Sequence, residues 1–325
     1  MIHRLVDARG TRIHLVEEGD DAGAPLVLLV HGFPESWYSW RHQIPALAAA
    51  GFHAVAIDVR GYGRSFAPTE IEAYRMLHHV EDNLGVVEAL GAERAVIIGH
   101  DWGSPIASTS ALLRPDVFTA VGLLSVPYSP PGRRRPMQAL AGIGGDEEFY
   151  ILYFQEPGRA EAEVEPDVRG WLLGLYIAAS GNASPPADGG TIATVRPGGM
   201  LRDRFVVPDE LPPWLTGQDL DFYAEEFERT GFRGPLNRYR NIDRDWEDLQ
   251  TWRGAPVTVP SLFIGGELDA ATRMGRGAIG RFPATLPSLR GSHILAGCGH
   301  WIQQERAGEV NAIVIDWLRS LEVVR

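Results

Sequence analysis

The chain has 325 residues, of which 45% are hydrophobic, so it can bury a sizeable core in one large domain with or without an insertion. Its formal net charge of −12 at pH 7 disfavours nucleic acid and anionic membranes as partners, because both would repel it. A single cysteine, Cys298, excludes an intramolecular disulfide, and an N-terminus without an apolar signal core predicts a cytoplasmic protein.

The first third of the sequence alternates apolar runs with helix-compatible segments. Residues 3–18 alternate apolar and polar side chains around Arg9-Gly10, which predicts a β-hairpin. Continuous apolar runs predict buried strands at residues 25–30, 53–58, 95–98 and 118–124. Helices are predicted between them, at residues 36–50 and 74–90. This alternation predicts a mostly parallel sheet flanked by helices, with functional side chains at the carboxyl ends of the strands.

The pattern changes after residue 127. Up to residue 245 no run is typical of a buried strand, and Pro and Gly cluster between aromatic, helix-compatible segments. Helices are predicted there at residues 147–155, 168–179, 219–230 and 234–245. Strands resume at residues 259–266 and 293–296, and a last helix is predicted at residues 305–321. The sequence therefore predicts an α/β core formed by residues 1–127 and 246–325, with residues 128–245 inserted as a helical cap.

The stretch Gly99-His100-Asp101-Trp102-Gly103 lies between a predicted strand and a predicted helix. It has the spacing of a nucleophile elbow, in which small residues flank a nucleophile held in a strained turn. An aspartate is ionised at neutral pH and needs no base to activate it. Its attack on an ester carbonyl would give an anhydride, which disfavours an esterase, whereas attack on a saturated carbon gives an alkyl ester. We therefore predict that Asp101 is the nucleophile in a displacement at saturated carbon.

Two later segments supply the partners of such a nucleophile. Residues 266–269 follow one predicted strand, and residues 297–301 follow the last. We assign His300 as the general base for the water that hydrolyses the ester, because an imidazole pKa near 6.5 suits a base at neutral pH. Asp269 is assigned to orient the imidazole, with Glu267 as the alternative acid. The order nucleophile, acid, histidine is that of an α/β-hydrolase triad.

The loop after the strand at 25–30 begins with the residues His31-Gly32-Phe33. Enzymes with a nucleophile elbow take one oxyanion donor from this loop and another from the residue after the nucleophile. The backbone N–H groups of Phe33 and Trp102 are therefore predicted to form the oxyanion hole. The side chains of Phe33, Trp37 and Trp102 are candidate apolar walls of a substrate pocket, with ordinary core packing as the alternative. His100 is expected to point away from the reacting groups and support the turn.

These motifs resemble those of epoxide hydrolases of the α/β-hydrolase fold, and the chain is similar to the hydrolase domain of the soluble epoxide hydrolases. The resemblance spans about residues 3–320 and is carried by residues 31–41, 99–103, 152–158, 231–241 and 299–301. It is thinnest in the cap, at residues 129–148 and 180–205. The resemblance implies that two cap tyrosines, Tyr153 and Tyr239, hold the epoxide oxygen. A phenol stays protonated at neutral pH and can donate to the alkoxide that ring opening expels.

The favoured hypothesis is hydrolysis of a small-molecule epoxide to a vicinal diol through an alkyl ester on Asp101. A haloalkane dehalogenase with the same nucleophile is the alternative, and Trp102 could then hold the halide through its indole N–H. Phe33 disfavours this alternative, because it offers no side-chain donor where dehalogenases commonly carry one. A non-catalytic ligand-binding protein of this fold would ordinarily lack a member of the triad.

No spacing typical of metal ligands occurs in the sequence, and no organic cofactor is expected, since water and side chains complete the chemistry. The resemblance also makes a homodimer formed through the cap plausible. Arg238, which precedes Tyr239, occupies a place where relatives often carry an aromatic residue, and it is expected to face solvent.

Overall fold

A twisted eight-stranded sheet forms the centre of the computed structural model, which describes residues 1–20 and 23–321. The strands are β1 Ile2–Ala8, β2 Thr11–Glu18, β3 Leu26–Val30, β4 His53–Ile57, β5 Ala95–His100, β6 Phe118–Leu124, β7 Glu148–Phe149, β8 Thr194–Val195, β9 Ser261–Gly266 and β10 Leu289–Leu295. Their order in the main sheet is β1-β2-β4-β3-β5-β6-β9-β10, and β7 pairs separately with β8. Within the main sheet, the neighbouring strands β4, β3, β5, β6, β9 and β10 are all parallel to one another. β2 is antiparallel to both β1 and β4. The predicted mostly parallel sheet is confirmed.

Helices flank the sheet and fill the segment between β6 and β9. They are α1 Gln43–Ala49, α2 Met76–Ala89, α3 Gly103–Leu113, α4 Pro136–Leu140, α5 Tyr150–Tyr153, α6 Arg159–Val164, α7 Val168–Ala179, α8 Gly217–Thr230, α9 Arg233–Tyr239, α10 Ile242–Asp248, α11 Ala270–Met274, α12 Arg276–Ile279, α13 Phe282–Thr285, α14 Ile302–Glu305 and α15 Ala307–Ser320. We refer to α4–α10 as the cap. The boundary predicted at residue 245 lies inside α10, and we propose that the cap extends to the end of that helix. Among residues 1–20 and 23–321, no helix has both the length and the apolar character that crossing a bilayer requires.

The continuous apolar runs become strands that are buried on both faces. β3, β4, β5 and β9 are buried along their whole length. Successive side chains of a strand point to opposite faces, so Leu28 and Ile97 join one hydrophobic cluster while Leu29 and Ile98 join the other. Each such buried side chain contributes about 1.5–3 kcal/mol.

The two clusters differ in what covers them. The second is covered by α1 and α15, with side chains such as Leu47 and Val314. The first is covered by α2 and α3 and continues into the cap through Trp171 and Phe232. The cap therefore shares a core with the sheet, and it lies over the residues that follow the strands.

Several elements differ from their predicted bounds. The helix predicted at 36–50 is divided into a 3₁₀ helix, Trp37–Trp40, and α1. The helix predicted at 147–155 begins as the short strand β7 and keeps only the four residues of α5. The last strand begins at Leu289, four residues before the predicted start at residue 293.

Candidate active site

Asp101 lies in the sharp turn between β5 and α3, with the left-handed φ of 50°. Such a backbone costs about 1–3 kcal/mol in a residue other than glycine. The flanking glycines allow strand and helix to cross closely, because a Cβ on Gly99 would overlap the carbonyl of Gly103. A Cβ on Gly103 would in turn overlap the carbonyl oxygen of Val30. The turn thus presents the carboxylate at the carboxyl end of the sheet.

The loop after β3 holds one oxygen of this carboxylate. The Phe33 N–H donates to Asp101 Oδ1 at 2.8 Å. A Cβ on Gly32 would overlap the Asp101 side chain, so a glycine is required where the loop passes the nucleophile. Trp102 precedes α3, whose N-terminal dipole favours negative charge on the adjacent residue. An oxyanion formed at Oδ1 would therefore meet a preorganised donor.

The other carboxylate oxygen faces the histidine. His300 Nε2 lies 3.6 Å from Asp101 Oδ2, and His300 Nδ1 lies 3.0 Å from Asp269 Oδ1. The side chains of Asp101 and His300 are 15% and 13% exposed, against 1% for Asp269, so only the first two can meet substrate and water. Glu267 is exposed and accepts a hydrogen bond from the Gly297 N–H instead. The structure therefore brings Asp269, rather than Glu267, to His300.

Charge decides the protonation of this group of three side chains. Burial favours neutral His300, but the charge of Asp269 and hydrogen bonds to Asp101 and Asp269 raise the pKa of His300 well above its usual value. Burial likewise works against ionised Asp101, yet its hydrogen bond and charge interaction with His300 hold the pKa of Asp101 below the usual range. The two carboxylates therefore favour the imidazolium form of His300.

A buried network supports the loop that carries His300. His100 faces away from the reacting groups: its Nδ1 lies 2.7 Å from Glu35 Oε2, and its Nε2 lies 2.7 Å from the His300 carbonyl. Glu35 also accepts from the Gly32 N–H at 3.0 Å and from Gln303 Nε2 at 2.9 Å. The network connects the oxyanion loop with the base.

Two tyrosines of the cap lie near the residues that flank the nucleophile. The ring of Tyr239 meets Phe33 edge-on at 5.3 Å and Trp102 at 5.1 Å. Burial, followed by the charge of Asp101, raises the pKa of Tyr239 well above its usual value. The Tyr150 ring lies 6.2 Å from that of Tyr239, and burial with the charges of Asp101 and Asp269 raises the pKa of Tyr150. Both phenols therefore stay protonated within the electrostatic reach of Asp101.

Tyr153, the second tyrosine named from the sequence, is turned elsewhere. Its hydroxyl donates to Glu163 Oε2 at 2.6 Å, and the Arg159 guanidinium lies 4.1 Å from its ring centroid. This hydrogen bond contradicts the assignment of Tyr153 as a donor to the epoxide, and Tyr150, three residues earlier, is the tyrosine that lies beside Tyr239. The sequence contains the signal, because two tyrosines three residues apart lie on one turn of a helix, but it does not show which of the two faces the nucleophile.

Phe33 and Trp37, both candidate walls of the substrate pocket, lie in different parts of the structure. Phe33 packs against Tyr239 and, at 5.7 Å, against Phe154, so it lies between the nucleophile and the cap. The Trp37 ring instead packs against the Phe222 ring at 5.8 Å, in the hydrophobic cluster that α1 and α15 cover. The backbone N–H of Trp37 donates to Asp58. The assignment of Trp37 to the substrate pocket is therefore corrected to core packing.

Arg238 does not face solvent as expected. Its side chain is 3% exposed, it pairs with Asp245, and it donates to the Tyr74 carbonyl. Its guanidinium lies 4.7 Å from the ring centroid of Trp102, within the range of a cation–π interaction. Arg238 thus packs behind Trp102 as a buried charge. No group of three or more His, Cys, Asp or Glu side chains within the described ranges 1–20 and 23–321 is arranged to hold a metal ion.

Known proteins resemble this chain along nearly its whole length. Residues 25–161 match the family model described as the alpha/beta hydrolase fold. Epoxide hydrolase B of Mycobacterium tuberculosis is 46% identical, and the alignment covers 98% of this chain and 99% of that protein. A solved epoxide hydrolase from an endophytic Streptomyces is 65% identical, with a TM-score of 0.95 over 98% of this chain and 95% of that one. Epoxide hydrolase A from Mycobacterium thermoresistibile is 45% identical, with a TM-score of 0.91 over 99% of both chains.

Proposed function

The chain belongs to the epoxide hydrolases of the α/β-hydrolase fold, and we propose that Asp101 carries out its reaction as a covalent nucleophile. The enzyme converts an epoxide and water to a vicinal diol. The observation that carries the proposal for the site is the array of Asp101, His300 and Asp269 beneath two cap tyrosines.

Ring opening is the first half of the proposed reaction. Asp101 Oδ2, the oxygen that Phe33 does not hold, attacks a ring carbon of the epoxide, and the carbon–oxygen bond of the ring breaks. Tyr150 and Tyr239 donate hydrogen bonds to the departing oxygen, and one of them supplies its proton. The product is an ester whose carbonyl oxygen, Oδ1, stays against the Phe33 N–H. The Trp102 N–H is proposed as the second donor.

Ester formation prepares the base for the second half. It neutralises Asp101 and removes a negative charge that raises the pKa of His300, so the imidazolium loses its proton more readily, and this proton replaces the one that the cap tyrosine gave up. Neutral His300 then takes a proton from water as that water attacks the ester carbon. The oxyanion develops at Oδ1 beside the Phe33 amide, and the bond between Cγ and Oδ2 then breaks. The departing oxygen takes the second proton of the attacking water, which gives the diol and returns Asp101 to its carboxylate form. Asp269 keeps the imidazole oriented throughout.

The test compares diol formation from a small aryl epoxide with halide release from a haloalkane. Asp101→Ala and the double variant Tyr150→Phe plus Tyr239→Phe should both lose diol formation, and Tyr153→Phe is the matched control. Halide release that persists without Tyr150 and Tyr239 would instead favour a dehalogenase. Diol formation that survives in Asp101→Ala would refute the proposed nucleophile.

A homodimer and a cytoplasmic location stay proposals, the first from the resemblance and the second from the sequence. Light scattering of the purified protein tests the first, and fractionation of cells that express the gene tests the second. A monomeric mass, or recovery outside the cytoplasm, would refute the respective proposal.

A further inference from the structure

Ser125 occupies a constrained position beside the triad. It follows β6 directly, is fully buried, and has a φ of 70°, in the left-handed region that favours glycine. Its N–H donates to the Ile264 carbonyl at 2.9 Å, and its carbonyl accepts from Thr272 Oγ1 at 3.0 Å. The backbone is therefore fixed from β9 and from α11, and the side chain has little freedom to turn.

The hydroxyl of Ser125 lies between the acid and the base. Its Oγ is 2.6 Å from Asp269 Oδ2 and 3.0 Å from His300 Nδ1. A carboxylate can only accept, so the single hydroxyl proton goes to Asp269 and a lone pair of Oγ faces Nδ1. Asp269 Oδ1 also lies 3.0 Å from Nδ1. Both neighbours of Nδ1 are thus acceptors, so the one ring proton of the neutral imidazole must reside on that nitrogen.

We propose that Ser125 is a positioning residue that keeps the proton of His300 on Nδ1 and leaves Nε2 free to accept a proton from water. It acts in two ways: it accepts a share of the Nδ1–H hydrogen bond, and it ties down the far oxygen of Asp269 so that Oδ1 points at the imidazole. Thr272 Oγ1 reaches the same Oδ2 at 2.8 Å, but only Ser125 contacts both partners. The inference rests on the proposed role of His300 as the base.

The role separates the two halves of the reaction. Ring opening needs ionised Asp101 and the cap tyrosines, and it uses neither tautomer of neutral His300. Hydrolysis needs a neutral imidazole with an unprotonated Nε2, and this is the form that Ser125 favours. Loss of the hydroxyl should therefore slow hydrolysis of the ester about tenfold or more and leave ester formation within about threefold.

Two substitutions at Ser125 and one at Thr272 isolate this effect. Ser125→Gly removes the hydroxyl and suits the left-handed backbone, and Ser125→Ala is a second variant without it. Thr272→Val is the comparison variant, since it removes a hydroxyl that serves Asp269 Oδ2 and the Ser125 carbonyl but leaves the Ser125 hydroxyl in place.

The measurement is a single turnover with an aryl epoxide, quenched rapidly and followed by the mass of the Asp101 peptide. We expect ester to accumulate in Ser125→Gly and Ser125→Ala, and to accumulate less in Thr272→Val. Nitrogen NMR at a pH above the pKa of His300, where the ring is neutral, should show the Nδ1–H form in the wild type and a mixture of tautomers in Ser125→Gly.

Three results would overturn the role of Ser125. They are unchanged hydrolysis in Ser125→Gly, equal slowing of both steps, and a Thr272→Val variant as slow as Ser125→Gly, which would place the effect on the support of Asp269 and of the backbone at residue 125 rather than on the Ser125 hydroxyl. A wild-type enzyme that forms no ester would overturn the nucleophile itself, and this failure is distinct from the other three.

Discussion

Replacing Tyr150 by phenylalanine should slow formation of the alkyl ester about ten- to hundredfold. The substitution removes one of the two phenols that we propose to donate to the oxygen expelled from the ring, and Tyr239 remains. A hydrogen bond to a charged group is worth about 1.5–3 kcal/mol, which corresponds to a factor of about 10–150 in rate. The reaction should therefore survive the single substitution but not the loss of both hydroxyls.

Tyr153→Phe is the matched control, because it makes the same chemical change three residues away. It removes the hydrogen bond to Glu163, which keeps the Trp171 Nε1–H at 2.9 Å and the Leu201 N–H at 3.0 Å as donors. We expect a loss of about 1–3 kcal/mol in the free energy of unfolding, with ester formation within about threefold of the wild type.

The assay is stopped-flow mixing with excess enzyme, followed by rapid quench and mass measurement of the ester. Thermal unfolding of both variants separates the two effects. A Tyr153→Phe variant slower in ester formation than Tyr150→Phe would refute the assignment made from the structure and restore the one made from the sequence.

Three further predictions concern the nucleophile and its base. His300→Gln should form the ester at nearly the wild-type rate and accumulate it, which a stable mass increase on the Asp101 peptide would reveal; absence of this adduct would contradict the role of the base. Asp101→Asn should lower the pKa of His300, because it removes a negative charge that raises it, and an unchanged value in an NMR titration would contradict this electrostatic account. Gly32→Ala should abolish diol formation, since its Cβ would overlap the Asp101 carboxylate; full activity would show that the loop can move away.

Much of the fold could be predicted because its signals are local. β6 was predicted at its observed bounds, residues 118–124, and α7 at residues 168–179, since a buried strand and a helix each carry a periodicity of their own. The nucleophile elbow can equally be predicted from the sequence, because the close crossing of β5 and α3 requires glycine at Gly99 and Gly103, on either side of Asp101. Such constraints act within a few residues of the chain.

The errors arose where distant contacts decide an orientation. Tyr150 and Tyr153 lie on one turn, and Glu163 on the next helix of the cap determines which hydroxyl turns away from the nucleophile. Trp37 begins a 3₁₀ helix instead of a continuous α-helix. Its ring packs against Phe222 of α8, which is 185 residues later in the chain. No local pattern contains these contacts.

Arg238 shows the same limit for a charged residue. An arginine is usually exposed, yet here Asp245 within the same cap segment and the ring of Trp102 compensate its burial. The packing of Trp102 against the cap is a property of the assembled fold, so a solvent-facing arginine was the better prediction from the sequence and was nevertheless wrong.

A single turnover in water labelled with heavy oxygen tests the central claim most directly. If Asp101 forms a covalent ester, the diol of the first turnover takes its new oxygen from Asp101 Oδ2, and the label from water enters the Asp101 carboxylate. The account predicts unlabelled diol together with a heavier Asp101 peptide. Labelled diol with an unlabelled Asp101 peptide would mean that water attacks the epoxide directly, and it would contradict the assignment of Asp101 as the nucleophile.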